Sequence, residues 1–118
     1  MSNSVSGFPY DVIYSSSESI RNSLVKASNS KSKFANSVKG LIARLDNLVR
    51  RVVTLRREED MLVTDIKHSH DLEVMKTLVG RIKSFNDGLV SIDNDFRTLH
   101  RDVSIVLECV QEENGETS

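Results

Sequence analysis

Apolar residues in the middle of the chain recur at spacings that alternate between four and three, which is the pattern of a heptad coiled coil. The first run, here called the first seam, is broken by Glu59 and resumes at Leu62 and Ile66. Additional apolar positions beside it widen the buried stripe, which favours a bundle of three or more helices over a two-stranded coil. The pattern predicts a helix over residues 32–67. The first seam comprises Phe34, Val38, Leu41, Leu45, Leu48, Val52 and Leu55.

A second seam follows with unbroken alternation of three and four over about five heptads. It predicts another long helix, over residues 71–111. The second seam comprises Met75, Leu78, Ile82, Phe85, Leu89, Ile92, Phe96, Leu99, Val103, Val106 and Val110.

The two seams do not share a register. Ile66 and Met75 are nine residues apart, and nine steps of about 100° place them on opposite faces of a continuous helix. Residues 67–71 lie between them and offer Ser69 and Asp71 as N-caps, which favours a turn that makes an antiparallel hairpin with arms of roughly 50–60 Å. Because this segment contains no Gly or Pro, one helix of about 80 residues (1.5 Å per residue) is the alternative.

The two ends of the chain differ from its middle. Residues 1–9 are rich in Ser and contain Gly7 and Pro9, so they are predicted to form a disordered leader. Residues 10–27 keep a weak helical stripe and predict a short first helix, after which several Ser and Asn residues offer N-caps for a helix restart. Residues 112–118 are predicted to be a disordered acidic tail.

The predicted fold class is therefore all-α: a single domain over residues 10–111, elongated, with one short and two long coiled-coil helices. Thin helical pairs bury little surface alone, so we expect partner helices to complete the core, with self-association as a further option. The seams are the predicted partner interface. Its candidate residues are Leu41, Leu45, Leu48, Val52, Leu55, Leu62, Leu78, Ile82, Phe85, Leu89, Ile92, Phe96, Leu99, Val103 and Val106.

Composition and charge add a second constraint. The 118 residues include four Phe, two Tyr and no Trp, so a core built on large rings is not expected. The net charge of −1 conceals a division, because residues 1–57 carry ten basic and three acidic residues whereas residues 58–118 carry six and fourteen. Halves of net charge +7 and −8 are expected to lie against each other, within one chain or between two copies.

Residues that could perform chemistry are few. His68 and His70 are two positions apart, so on a helix their side chains diverge and do not predict a metal site. The acidic run 58–60 follows two arginines at ion-pairing distance along a helix, which is typical of a solvated surface. Cys109 is the only cysteine and excludes an internal disulfide. We therefore predict no enzyme activity, no cofactor, no metal and no small-molecule substrate.

Three glycines lie inside the helical patterns. Each lowers helix stability by about 1 kcal/mol relative to Ala at an exposed interior position. Gly88 is next to the second seam, where close approach of another helix is the functional interpretation. For Gly40 and Gly80 exposure to solvent is the favoured interpretation.

Membrane insertion and secretion are not predicted. No apolar run approaches the roughly 18 residues that a membrane span requires, and residues 1–4 lack the basic and apolar regions of a signal peptide. We expect a cytoplasmic protein whose association with membranes is peripheral and made through a complex.

One short segment resembles a known family. The run Arg44-Leu45-Asp46-Asn47-Leu48, with Val52 four residues on, resembles the helical segment of the cappuccino family, a subunit of the biogenesis of lysosome-related organelles complex. This resemblance implies a non-catalytic structural subunit of a hetero-oligomeric complex that binds other small helical coiled-coil subunits. It also implies a role in endosomal trafficking, at the periphery of endosomal or lysosomal membranes. A kinetochore or microtubule-attachment subunit is an alternative. A binder of nucleic acid or anionic membrane through the basic half is another, and its binding would weaken with salt.

Overall fold

The computed structural model describes residues 6–29 and 31–116, and this part of the chain contains three helices and no strand. Helix α1 spans Tyr10–Ser28, α2 spans Ala35–His68 and α3 spans Leu72–Glu116. The all-α prediction is confirmed.

The molecule is a rod. Its principal extents are 68 × 25 × 17 Å, and its radius of gyration is 18.9 Å. A compact domain of this length would have a radius of gyration of roughly 13.5 Å. The elongated shape predicted from the seams is therefore confirmed.

The chain reverses between α2 and α3. Ser69 ends α2 with an extended backbone, and its N–H donates a hydrogen bond to the carbonyl of Ile66. Asp71 begins the next helix as an N-cap, because its Oδ1 accepts the backbone N–H of Glu73 at 2.9 Å. Ser69 and Asp71 thus end one helix and begin the next without glycine or proline. The structure is a hairpin and not one continuous helix.

Ion pairs mark the antiparallel register of the hairpin. Arg51 Nη1 donates to Asp95 Oδ2 at 2.6 Å, and Arg51 Nη2 donates to Ser91 Oγ at 3.1 Å. Two further ion pairs lie at multiples of seven residues from this one. Where the residue number rises along α2, the number of its partner in α3 falls by the same amount, as expected for antiparallel helices. These pairs join Arg44 to Asp102 at 2.9 Å and Arg81 to Asp65 at 2.8 Å.

Helix α1 runs antiparallel to α2 and is paired with it at both ends. Arg21 Nε lies 3.0 Å from Asp46 Oδ1, and Arg56 Nη1 lies 3.7 Å from Asp11 Oδ1. Together with the pairs across the hairpin, these contacts bring opposite charges together within one chain.

The seams form the chain's own core. One cluster joins all three helices and includes Leu24 of α1, while a smaller cluster of Leu62, Leu78 and Phe85 joins only α2 and α3. Ten of the fifteen predicted interface residues are buried in these clusters, and Leu55, Ile82, Leu89, Phe96 and Val106 are half-buried. The ten buried residues are Leu41, Leu45, Leu48, Val52, Leu62, Leu78, Phe85, Ile92, Leu99 and Val103.

This burial places the predicted interface residues in the chain's own core, while their contact with a partner stays a prediction. A side chain that is already enclosed by its own chain contacts a partner only if the helices separate. The seam residues are enclosed because α1 supplies the third helix that the widened apolar stripe favours. Leu24 of α1 is fully buried against the hairpin.

Residues 6–9 of the predicted leader contact other parts of the chain. The backbone N–H of Ser6 donates to Glu59 Oε1 at 2.7 Å, and the ring of Phe8 packs edge-on against Tyr10 with centroids 5.1 Å apart. Gly7 has φ of +74°, a left-handed conformation that favours glycine and lets the segment bend onto α2. Residues 1–5 lie outside the described residues.

At the other end α3 continues through Glu116, so the predicted acidic tail is helical in the part that is described. Gln and Glu are good helix formers, and Glu113 Oε2 accepts a hydrogen bond from the hydroxyl of Ser32 at 3.3 Å. Ser32 Oγ in turn accepts the N–H of Phe34, and α2 begins at Ala35, three residues later than predicted.

Candidate interaction surface

Helix α1 covers only part of the hairpin. Its N-terminal end lies beside Arg56 and Glu59 of α2, where Asp11 and Ser6 make their contacts. Beyond this point α2 and α3 form a two-helix end, here called the tip, which consists of residues 60–68 and 72–85. The tip has no third helix among the described residues.

An apolar groove, here called the tip groove, lies between the two helices of the tip. It is formed by Leu62, Val63, Ile66, Ile82 and Phe85, with the polar groups of Ser6, Glu59 and Asn86 beside them. Its volume of about 190 Å³ is below the roughly 300–1,000 Å³ of a typical small-molecule site. A shallow apolar groove between helices is suited to packing against side chains of another helix.

Exposed apolar side chains concentrate at the tip. The described residues include nine large apolar side chains that are exposed, and six of them lie between residues 61 and 79. Val79 is 66% exposed and Met75 is 51% exposed, and both continue along α3 the row that Ile82 begins in the groove. Contiguous apolar surface of this kind is characteristic of protein interaction sites.

Glu59 marks the end of the surface that α1 covers. It interrupts the first seam in the sequence, yet its side chain is buried, and the hydrogen bond from the Ser6 N–H offsets part of the cost of burying it. The pKa of Tyr10 is raised above its ordinary range. Burial is the largest cause, and the negative charge of Glu59 is the next. Among the described residues no group meets hydrogen-bond geometry with the Tyr10 hydroxyl. This buried carboxylate is one of the contacts that hold the N-terminal segment on the hairpin.

Arg56 closes the same end of α1. Its guanidinium carbon lies 5.6 Å from the ring centroid of Tyr10 and 5.9 Å from that of Tyr14, in cation–π geometry. The guanidinium also pairs with Asp11. These contacts fix α1 where it is, so its first turn does not extend over the tip.

The residues singled out for chemistry are dispersed. His68 and His70 are exposed at the turn between α2 and α3, and Cys109 is half-buried far along α3. Within the described residues no group of three His, Cys, Asp or Glu side chains could hold a metal ion. Glu58 lies 3.8 Å from Arg81, in an ion pair across the hairpin.

The glycine prediction is confirmed. A Cβ placed on Gly88 would lie 3.1 Å from Cδ1 of Leu55, which is a tight contact, so the absence of a side chain lets α2 and α3 approach. No atom lies within 4 Å of a Cβ placed on Gly40 or Gly80.

The exposed row on α3 escaped the sequence prediction. Met75 belongs to the second seam, but Leu72 and Val79 lie beside the seam, and the heptad pattern predicts no role for them. The available signal is their spacing, since Leu72, Met75 and Val79 are three and four residues apart and form a second row adjoining the seam.

None of the helices in the described part of the chain is both long and apolar enough to cross a membrane. Comparison of the chain with protein-family models, with curated proteins and with solved structures finds no match.

Proposed function

We propose that this chain is a non-catalytic structural subunit of an assembly of helical chains, and that it binds its partner through the tip. The observation that carries the proposal is the exposed apolar row of Met75 and Val79, continuous with the tip groove. Burial of apolar surface provides about 25 cal/mol per Å², so covering this row favours association.

The tip lets the chain bind without opening. Leu45, Val52 and Leu99 are buried in the chain's own core and can stay there while a partner covers the tip. The seams therefore hold the subunit together, and the uncovered end of the hairpin provides the contact. We propose this division in preference to a partner contact through the seams.

Membership of a hetero-oligomeric complex in lysosome-related organelle biogenesis is the narrower form of the proposal. It rests on the resemblance of residues 44–48 to the cappuccino family. Within this chain those residues also have local roles, since Leu45 and Leu48 are buried, Arg44 pairs with Asp102, and Asp46 pairs with Arg21. The resemblance is therefore the only support for this narrower form.

Binding of nucleic acid or anionic membrane through the basic half is less well supported. Arg21, Arg44 and Arg51 of that half lie within 3.0 Å of carboxylate oxygens of the same chain. A phosphate would have to displace these carboxylates. The ion pairs thus favour the structural subunit.

Affinity purification with mass spectrometry tests the proposal. The tagged 118-residue chain is compared with Val79→Asp at the tip and with Ile105→Asp, a matched control on the same helix whose side chain is 53% exposed. Wild type and Ile105→Asp should retain the same helical partners after washing with high salt, because apolar packing is not screened by ions. Val79→Asp should lose them, since it places a charge in the interface.

Loss of the partners in both variants, or in neither, would contradict binding through the tip. Recovery of nucleic acid that is released by salt would instead support the alternative of a basic-half binder.

A further inference from the structure

We propose that residues 6–14, here called the strap, are a displaceable cover at the inner end of the tip groove, and that a partner helix displaces them when it binds. The strap comprises the segment before α1 and the first turn of α1. This inference rests on the proposed function, because it concerns access to the same surface. With the strap closed the groove stops at Glu59, and with the strap open it continues past that residue.

The strap lies where the tip groove ends. Ser6 and Glu59 are both beside the apolar residues of the groove, and the Ser6 N–H donates to Glu59 Oε1 at 2.7 Å. Because α1 is antiparallel to α2, the strap continues from this point away from the tip, beside Arg56. A partner helix that lies in the groove along α2 therefore meets the strap at Glu59.

The part of the groove that the strap leaves open is short. α2 ends at His68, so its axis rises only about 14 Å beyond Glu59 at 1.5 Å per residue. A helix of average length, about 11–12 residues, is roughly 17 Å long. A stable interface buries about 800 Å² on each partner, which favours a longer contact. We therefore expect a partner helix to continue past Glu59, onto the surface that the strap covers.

The surface under the strap is apolar as well as polar. Tyr10 is 4% exposed, and Phe8 packs against the same core cluster with the two ring centroids 5.1 Å apart. Opening takes both rings away and leaves room for apolar side chains of the partner helix. The partner thus replaces the packing that the strap provides in the free chain.

The contacts that hold the strap are individually weak. Pro9 precedes α1 and provides no side-chain cap, and Asp11 is 65% exposed in its 3.7 Å pair with Arg56. The Tyr10 hydroxyl and the Ser17 Oγ are buried, and no described residue meets hydrogen-bond geometry with either. Buried hydroxyls without a partner disfavour the closed state, because they are solvated once the strap opens.

The second half of α1 stays in place when the strap opens. Leu24 is fully buried, and Arg21 Nε lies 3.0 Å from Asp46 Oδ1. Residues 15–17, between the two halves, are three serines, whose hydroxyls compete with the backbone and lower helix propensity. The strap therefore opens about this serine run, while Leu24 keeps α1 on the hairpin and α2 and α3 stay together.

Gly7 provides a way to loosen the strap without changing the groove. Its φ is +74°, where a residue with a Cβ is strained, and no described atom lies within 4 Å of a Cβ placed there. Gly7→Ala should open the strap about tenfold more often. Ser17→Ala should open it about fivefold less often, because it removes a buried hydroxyl. Gly40→Ala is the matched control, since its Cβ is also unobstructed and lies in α2 away from the strap.

Hydrogen exchange of the free chain measures the opening. Amides of residues 13–17 donate to carbonyls of the strap, as the Ile13 N–H does to Pro9. They should exchange at least about tenfold faster than amides around Leu24, through a local opening that low urea does not accelerate. Exchange should be faster in Gly7→Ala, slower in Ser17→Ala and unchanged in Gly40→Ala. Exchange of residues 13–17 only through global unfolding would overturn the proposal.

Competition for the purified assembly measures the displacement. Each variant competes with differently tagged wild-type chain for incorporation, and the ratio of the two is read by mass spectrometry. Gly7→Ala should be enriched up to about tenfold and Ser17→Ala depleted, because a strap that opens more often obstructs the partner less. Gly40→Ala should be incorporated as wild type is.

Two outcomes separate the displacement from the proposed function. Equal incorporation of Gly7→Ala, Ser17→Ala and wild type, together with loss of Val79→Asp from the assembly, would overturn the displacement and leave the proposed function standing. Incorporation of Val79→Asp to the wild-type level would refute the proposed function, and with it the displacement.

Discussion

At the scale of single residues, the buried carboxylate of Glu59 binds the segment that leads into the first helix. A charged residue at a seam position interrupts the apolar heptad pattern and is expected to weaken packing there. Here the carboxylate accepts the Ser6 N–H, and Tyr10 lies beside it. Buried charges of this kind persist where they are hydrogen-bonded and define one arrangement of the chain.

Tyr10 should make the fold sensitive to alkali. Its ordinary pKa is about 10, and burial together with Glu59 raises the pKa in the folded chain above that range. The folded chain therefore retains the hydroxyl proton that the unfolded chain loses. This contribution to stability is complete below pH 10 and falls as the pH rises towards the raised pKa.

Urea unfolding between pH 7 and pH 11 measures the effect of Tyr10. Tyr10→Phe should lose less stability than wild type above pH 10. At pH 7 it should be as stable or slightly more so, because the hydroxyl it removes is buried without a hydrogen-bond partner among the described residues. Tyr14→Phe is the matched control and keeps the alkaline loss. Equal loss in wild type and Tyr10→Phe would show that Tyr10 is not responsible.

The three helical glycines provide a graded test of packing. Gly40→Ala and Gly80→Ala should each stabilise the chain by about 0.5–1 kcal/mol, because Ala favours the helix and nothing obstructs its Cβ. Gly88→Ala should gain less than either, since Leu55 must move to admit the methyl group. Thermal unfolding compares the three, and an equal gain at Gly88 would refute the close approach of α2 and α3.

At the scale of elements, heptad spacing sets both the core and the ion pairs of the hairpin. Arg51 and Asp95 face each other because they lie beside buried Leu48 and Leu99 on antiparallel helices. The ion pair is roughly half exposed, so its net contribution is modest, but a shift of register by one residue would break it.

A double-mutant cycle on Arg51→Ala and Asp95→Ala should give a coupling energy of about 0.5–1 kcal/mol, which decreases with added salt. Lys76 and Glu73 provide the control, since that pair lies within one helix and is more exposed. Its coupling should be about 0.3 kcal/mol or less. A coupling between Arg51 and Asp95 no larger than that of the control would show that the cross-hairpin pair does not fix the register.

At the scale of the whole molecule, the sequence predicts the helices and favours the reversal of the chain between α2 and α3. It does not predict which apolar faces of these helices pack within the chain. Alternation of three and four in the seams is local information, and Asp71 is a local cap, so both could be predicted. The contacts from Ser6 to Glu59 and from Ser32 to Glu113 join distant residues, and no local pattern announces them.

The same reason explains why the sequence predicts that partner helices cover the seams. The α1 segment is rich in serine and its helical stripe is weak, so the sequence gives little sign that it supplies a third helix. Leu24 is nonetheless fully buried against the hairpin. With α1 covering its part of the hairpin, six of the nine exposed large apolar side chains of the described residues lie at the tip.

Hydrogen exchange of the chain alone and in its purified assembly tests the central claim that the tip is the assembling surface. The claim predicts slower amide exchange on assembly at residues 61–79, with the three-helix part around Leu45 and Leu99 unchanged. Faster exchange around Leu45 and Leu99, with the tip unaffected, would contradict it, because that result would mean that the helices separate and the seams themselves bind the partner.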